Sequence, residues 1–275
     1  MNGKPIIFSS EMVRALLEGR KTQTRRVMKD QPAPYKGGVH PNHVAKHPAP
    51  YIDAYCSERK TASNPRGMSN EWCWWTEDDR CGPSVGKCPY KPGDLLWVRE
   101  TWGINHTDYC TGIIPKERPE DVHDDQMVYF STEDDPEIQA EMPKRPSIHM
   151  PRWASRLTLR ITNIRAERLQ DISRGDAILE GASMRPACNG CMSRYDGWSM
   201  DWAKVGAPSK FGVNGVLTEQ CISLGDPQAA FLSYWTDLYG EHETKSVGAN
   251  PWVWVYDFEV IRENIDRVTS TNPRQ

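Results

Sequence analysis

The stretch that most constrains this 275-residue chain lies near its end. Pro251 to Ile261 reads PWVWVYDFEVI, and both of its period-two faces are apolar. Trp252, Trp254, Tyr256 and Phe258 lie on one face, Val253 and Val255 on the other. A strand apolar on both sides is covered on both sides, so it belongs in the middle of a sheet or barrel. The other compact blocks have to be arranged around it.

Those blocks are separated by three long stretches rich in Pro, Gly, Asp and Asn. In residues 4–28, Ile6 to Phe8 predict a short strand. Ser9 or Ser10 then caps a helix with Met12, Val13, Leu16 and Leu17 at helical spacing, and Gly19 ends it. The β-branched Thr22 and Thr24 predict a strand from Lys21 to Val27. Residues 91–102 open on the turn Pro92-Gly93-Asp94 and continue as the strand Leu95 to Trp102. Residues 147–181 hold the alternating strand Leu157 to Thr162, then a short helix with Ser173 as cap, Asp176 three positions on and Gly181 past its end. Residues 226–261 begin with Asp226-Pro227, a cap followed by proline at the first helical position. Phe231, Tyr234, Trp235 and Leu238 form that helix's stripe, Gly240 closes it, and the final strand follows. The expected fold is α+β: a small sheet closing into a barrel, with flanking helices, as one domain over 1–275. Residues 29–90, 103–146 and 182–225 are expected as insertions.

The chain has a mean hydropathy of −0.69 and no apolar run long enough to span a membrane, so no membrane partner is expected. The first residues resemble neither a signal nor a transit peptide, which predicts a cytoplasmic location. A formal charge of −3 and a pI near 6.2 do not announce a nucleic-acid binder, although a local basic patch suffices to contact phosphates. The 8 cysteines are expected as reduced thiols or metal ligands. The 11 tryptophans, against 5 phenylalanines, suit both cores and base stacking.

The segment Gly19-Arg20-Lys21-Thr22-Gln23-Thr24-Arg25-Arg26 resembles the G-R-K-T-x-T-x-R signature of the ASCH domain. Three further pieces follow in the family's order. Lys91 to Glu100 is similar to its G-D-x-L-x-V strand, Leu169 to Gly181 to its short helix ending in a Glu, and Trp252 to Phe258 to its closing strand. The segments Trp97 to Trp102 and Pro146 to Arg156 resemble those of longer ASCH-type proteins, often encoded by bacteriophages, which would place the chain in a host cytoplasm. The resemblance covers roughly half of the chain and implies a PUA-like β-barrel related to modules that bind RNA and modified bases. One branch of the family is similar to amidohydrolases that deacetylate N(4)-acetylcytidine. Their Lys, Thr and Glu fall by motif on Lys21, Thr24 and Glu180, and no cofactor is required.

Hydrolysing an exocyclic amide needs a nucleophile, a base and a proton donor for the leaving amine. Thr24 offers a hydroxyl as nucleophile or to hold a water. Lys21 would act as base only if burial or neighbouring cations brought it down from its ordinary value of about 10.4. Glu180 either opposes this, since a carboxylate directly beside Lys21 raises its pKa, or takes the proton and hands it to the leaving nitrogen. Lys21 and Thr24 have opposite strand parity, so the scheme requires Lys21 to lie in the turn before the strand begins. Arg20, Thr22 and Arg26 are expected around the substrate. Arg99, Glu100, Trp102, Arg152, Trp153 and Ser155 carry two open readings. The tryptophans either stack on a base while arginines hold phosphates, or they are core and the arginines pair with carboxylates.

Alternatives to the hydrolase are a non-catalytic reader of RNA or modified DNA, a ribonuclease, and a phage assembly factor. Trp72, Trp74 and Trp75 are read as attaching the first insertion to the sheet. Cys188-x-x-Cys191 has the spacing of half a zinc site, which makes a structural zinc the one metal to consider. The chain has no Walker or Rossmann loop, no H-E-x-x-H and no G-x-S-x-G.

Overall fold

In a computed structural model the described residues are 3–46, 50–55, 60–62, 64–106, 108, 115–133, 135–185, 197–200 and 224–271. Helices and sheets are both present, as the α+β class requires. The chain forms two compact units. One comprises Met1–Thr22, Asp94–Arg160 and Phe258–Gln275, the other Gln23–Gly93 and Ile161–Asp257. No helix among the described residues is long and apolar enough to cross a membrane.

The first unit begins with β1 (Lys4–Ile7) and α1 (Ser10–Leu17). Ser9 caps α1 by accepting from the Met12 N–H, while Val13, Ala15 and Leu16 are buried. The helix ends in a Schellman turn. Gly19 N–H donates to the Leu16 carbonyl at 3.1 Å and Arg20 N–H to the Ala15 carbonyl at 2.9 Å. Gly19 has φ +74°, a conformation costly for any residue with a Cβ. The second unit starts with β2 (Gln23–Val27), two residues shorter than the strand read from the sequence, because Lys21 and Thr22 belong to the connection that leaves the turn.

Residues 29–90 are more ordered than their composition suggests. They contain the antiparallel sheet β3 (Tyr51–Ala54), β4 (Glu71–Trp75) and β5 (Cys81–Lys87). Two glycines and a proline in β5 hide it from a propensity reading, and its place at the sheet edge is where such residues are tolerated. Trp72 and Trp74 attach this sheet as expected, while Trp75 donates to the Asp53 carbonyl within it. Trp72 packs edge-on against Trp254 with ring centroids 4.9 Å apart, and Trp74 against Trp252 at 5.4 Å.

The expected strand Leu95 to Trp102 is broken in two. β6 (Leu95–Arg99) stops before Glu100, and β7 (Trp102–Ile104) pairs with β8 (Met127–Tyr129) instead. The break has a polar cause: Glu100 is buried and turned toward Arg156 and Ser131. After the short α2 (Pro136–Glu141), β9 (Thr158–Arg168) runs longer than its apolar alternation. It leads to α3 (Arg174–Leu179), and β10 (Ser183–Arg185) pairs with β11 (Gly197–Ser199). Then come α4 (Pro227–Tyr239), β12 (Trp252–Ile261) and α5 (Ile265–Thr271).

In the first unit β1 pairs parallel with β6, and β6 antiparallel with the start of β9. In the second unit β12 pairs antiparallel with β2. The strand order is β1-β6-β9-β12-β2, so β12 is an interior strand, as its two apolar faces demand. Among the described residues this order has ends at β1 and β2, and it is the five-stranded sheet rather than a closed barrel that the hydrogen bonds define. The second unit's main core joins Val253 and Val255 to Leu169, Ile172, Phe231 and Trp235.

Candidate active site

Lys21, expected as the base, lies in the first unit, in the connection that leaves α1, where the sequence scheme requires it. The Schellman turn redirects the chain, and the Lys21 N–H donates to the Ala15 carbonyl at 3.1 Å. The residue is 0 % exposed and its Nζ stands 5.8 Å from the Phe8 ring centroid. Removing an ammonium from water costs several kcal/mol unless the surroundings compensate it.

Thr24 and Glu180 lie in the second unit, and both are buried. α3 is only six residues long, started by Ser173, whose Oγ accepts from the Asp176 N–H at 3.1 Å. Glu180 is its C-cap, with the N–H still donating to the Asp176 carbonyl at 2.8 Å, and Gly181 then leaves with φ +113°. From that position Glu180 Oε1 meets Arg25 Nη1 at 3.1 Å. Arg25 also donates from Nε to Glu167 at 3.0 Å and from Nη1 to Gln23 Oε1 at 2.6 Å, and lies over the Phe231 ring at 5.6 Å.

The same face carries more charge. Gln23 donates to Asp176 at 3.0 Å and to Asp257 at 2.6 Å. Arg165 contacts Glu167 at 3.1 Å, Asp176 at 2.7 Å and Asp257 at 3.3 Å. Although burial opposes its charge, the Asp176 carboxyl is held down at about 2 by hydrogen bonds from Gln23 and Ser173 and by the two arginines. Burial likewise works against Arg165's charge, but Glu167, Asp176 and Asp257 overcome it and raise its pKa.

Thr24 belongs to the other side of β2. Strand side chains alternate, so Gln23 and Arg25 face the carboxylates while Thr24 and Arg26 face away from them. Thr24 pairs in register with Tyr256, and Arg26 with Trp254. The Tyr256 hydroxyl lies 3.6 Å from the Cys88 thiol, and its ring packs edge-on with Tyr90 at 5.1 Å. Burial first, then Cys88, pushes the Tyr256 phenol far above its ordinary range. The pleat of β2 thus separates the face holding Thr24 from the face on which Arg25 meets Glu180.

Of the residues expected around a substrate, Arg20 binds Glu18 on the surface, and Thr22 just precedes β2 with its carbonyl accepting from the Phe258 N–H at 2.9 Å. Glu100 takes two hydrogen bonds from Arg156 at 3.0 Å and one from Ser131. Ser155 donates to the Val98 carbonyl at 2.8 Å. Arg152 pairs with Asp266 at 2.8 Å. Trp102 is fully buried and packs edge-on with the half-buried Trp153 at 6.1 Å. For Trp102 and Arg152 the core and carboxylate readings are the ones realised. Arg99 differs from Arg152: its guanidinium stacks on Trp97.

Cys188 and Cys191 lie outside the described residues. Cys73 and Cys88 are buried free thiols and Cys81 an exposed one. A separate group could offer metal ligands. His106, Asp108 and Asp121 place ligand atoms within 4.8 Å of one another, with both carboxylates exposed. One imidazole and two carboxylates suit a borderline or hard divalent ion better than the thiolate site expected from the sequence.

The sequence reading passed over Arg25 as a site residue, along with Arg165, Glu167, Asp176 and Asp257. Parity was the available signal, since Gln23 and Arg25 share a face with each other and not with Thr24. The match to four carboxylates on β9, α3 and β12 had no local trace. Comparison with family models, with curated proteins and with solved structures finds no match.

Proposed function

We propose that this chain recognises a nucleoside, free or within a nucleic acid, in an ASCH-type, PUA-like barrel, and that its reaction is hydrolysis of an acyl amide on the exocyclic nitrogen of cytosine. The observation that carries the reading is the complete burial of Lys21 at the head of the signature segment. A buried ionisable side chain inside a signature segment is a candidate for chemistry. In the reaction water adds through its oxygen to the acyl carbon, the C–N bond breaks, the acyl group leaves as a carboxylate and the exocyclic nitrogen takes a proton. The resemblance gives Lys21 the part of base and Glu180 that of proton carrier, and what supports the second is that Arg25 holds the Glu180 carboxylate at 3.1 Å. The hydroxyl of Thr24 faces away from Arg25, so its part is to hold water or substrate rather than to exchange a proton with Glu180.

The test is turnover of N(4)-acetylcytidine to cytidine and acetate by the full chain. The expected result is turnover lost in Lys21→Ala and Glu180→Gln and reduced in Thr24→Ala. Wild-type turnover no greater than that of Lys21→Ala overturns the hydrolase.

A further inference from the structure

We propose that Arg99 is a phosphate-contacting residue, taking a phosphate ester of a nucleotide or of a nucleic-acid strand on the outer edge of its guanidinium. The inference rests on the nucleic-acid half of the reading above and is independent of the hydrolysis.

Arg99 ends β6, in register with Ile7 of β1. Two residues along one strand share a face, and its guanidinium carbon stands 4.5 Å from the centroid of the Trp97 ring. Nη1 donates to the Ile148 carbonyl at 3.1 Å, while Nε is buried and has no hydrogen-bond partner. A buried donor left unpaired adds to the cost of holding this cation where it is.

The charge is as conspicuous as the donor. Within the same unit Arg152 is neutralised by Asp266, Arg156 by Glu100 and Arg160 by Glu259. Among the described residues no carboxylate pairs with Arg99. Its neighbour Glu100 is turned the other way, toward Arg156 and Ser131. Burial weighs against the Arg99 cation and no acid offsets that cost. The segment whose Ile148 carbonyl anchors the guanidinium adds positive charge through Lys144 and Arg145, laid over Phe130 at 5.0 Å and Trp102 at 5.8 Å.

A guanidinium lying over an indole and tied through Nη1 to a carbonyl is held in place, and its fork of donors matches two oxygens of a phosphate. A lysine could supply the charge but neither the stacking nor the fork. Phosphate is therefore the anion class that the geometry fits best.

The probes are a fluorescein-labelled single-stranded RNA read by anisotropy across a salt series, and cytidine 5′-monophosphate read by calorimetry. Arg99→Gln is expected to weaken binding about tenfold, as loss of a charged hydrogen bond implies. The slope of log affinity for RNA against log salt should fall by about 0.7, the contribution of one phosphate on a single strand. Arg99→Lys should lose affinity while keeping the slope, and it carries the test if the glutamine variant's urea midpoint shows it to be misfolded. Loss toward RNA alone assigns a backbone diester, and loss toward both ligands assigns any phosphate ester. Wild-type affinity and slope in the variants, or a wild-type chain that binds neither probe, overturns the proposal. Arg99-dependent binding without deacetylation discards the reaction and keeps the anion site; deacetylation with no effect at Arg99 does the reverse.

Discussion

Replacing Arg25 by methionine tests whether the second unit depends on the charged face of β2. The Arg25 side chain is 0 % exposed and that of Glu180 only 3 %. The substitution keeps an unbranched side chain beside Phe231 but removes the donors that Arg25 gives to Gln23, Glu167 and Glu180. Glu167 keeps Arg165, so most of the cost comes from Glu180 losing the guanidinium. Removing one partner of a buried pair typically costs about 3–5 kcal/mol. A domain's whole stability is roughly 5–15 kcal/mol, so the effect is large. The assay is urea unfolding followed by far-ultraviolet circular dichroism and tryptophan fluorescence, with the midpoint compared at unchanged slope. Glu180→Leu and the double variant Arg25→Met/Glu180→Leu complete a cycle. The double variant should recover part of the loss, because it removes the acid together with the guanidinium that faces it. A single-variant cost under about 1 kcal/mol, or a cycle with no coupling, would refute the claim that this pair is energetically buried.

Two further outcomes are expected. The Asp176 carboxyl, at about 2 in the folded protein against roughly 3.9 for a free Asp, contributes stability that is fully present above pH 4 and lost as pH falls through 2. The difference in urea midpoint between wild type and Asp176→Asn should therefore hold to about pH 4 and shrink toward pH 2; a constant difference contradicts it. Gly19→Ala meets no neighbouring atom but must adopt φ +74°, so the melting temperature should fall by the equivalent of about 1 kcal/mol, with Lys21 less protected in lysine-labelling kinetics.

Local signals were legible where chemistry is local. Ser9, Ser173 and Asp226 cap their helices, Gly19, Gly181 and Gly240 follow the ends with positive φ, and β12 lies inside its sheet. The strand read through Trp102 stopped at Arg99 because Glu100 finds Arg156 and Ser131, partners 56 and 31 residues away. Residues 29–90 read as irregular because β5 is held by pairing to β4, which tryptophan contacts join to β12, rather than by its own propensity. At the candidate site, strand parity put Thr24 on the opposite face of β2 from Arg25, while Lys21, read as the start of that strand, lies in the turn before it. It carried no sign that Glu180 would bind Arg25.

By itself the sequence determined the elements: which residues cap, which alternate, and that the last strand must be covered on both sides. These follow from backbone geometry and hydrophobic burial within a few residues of each other. Tertiary structure alone decided which charges meet. A carboxylate finds its arginine across 155 residues of chain only after the strands have paired, and no periodicity along the polypeptide encodes that meeting.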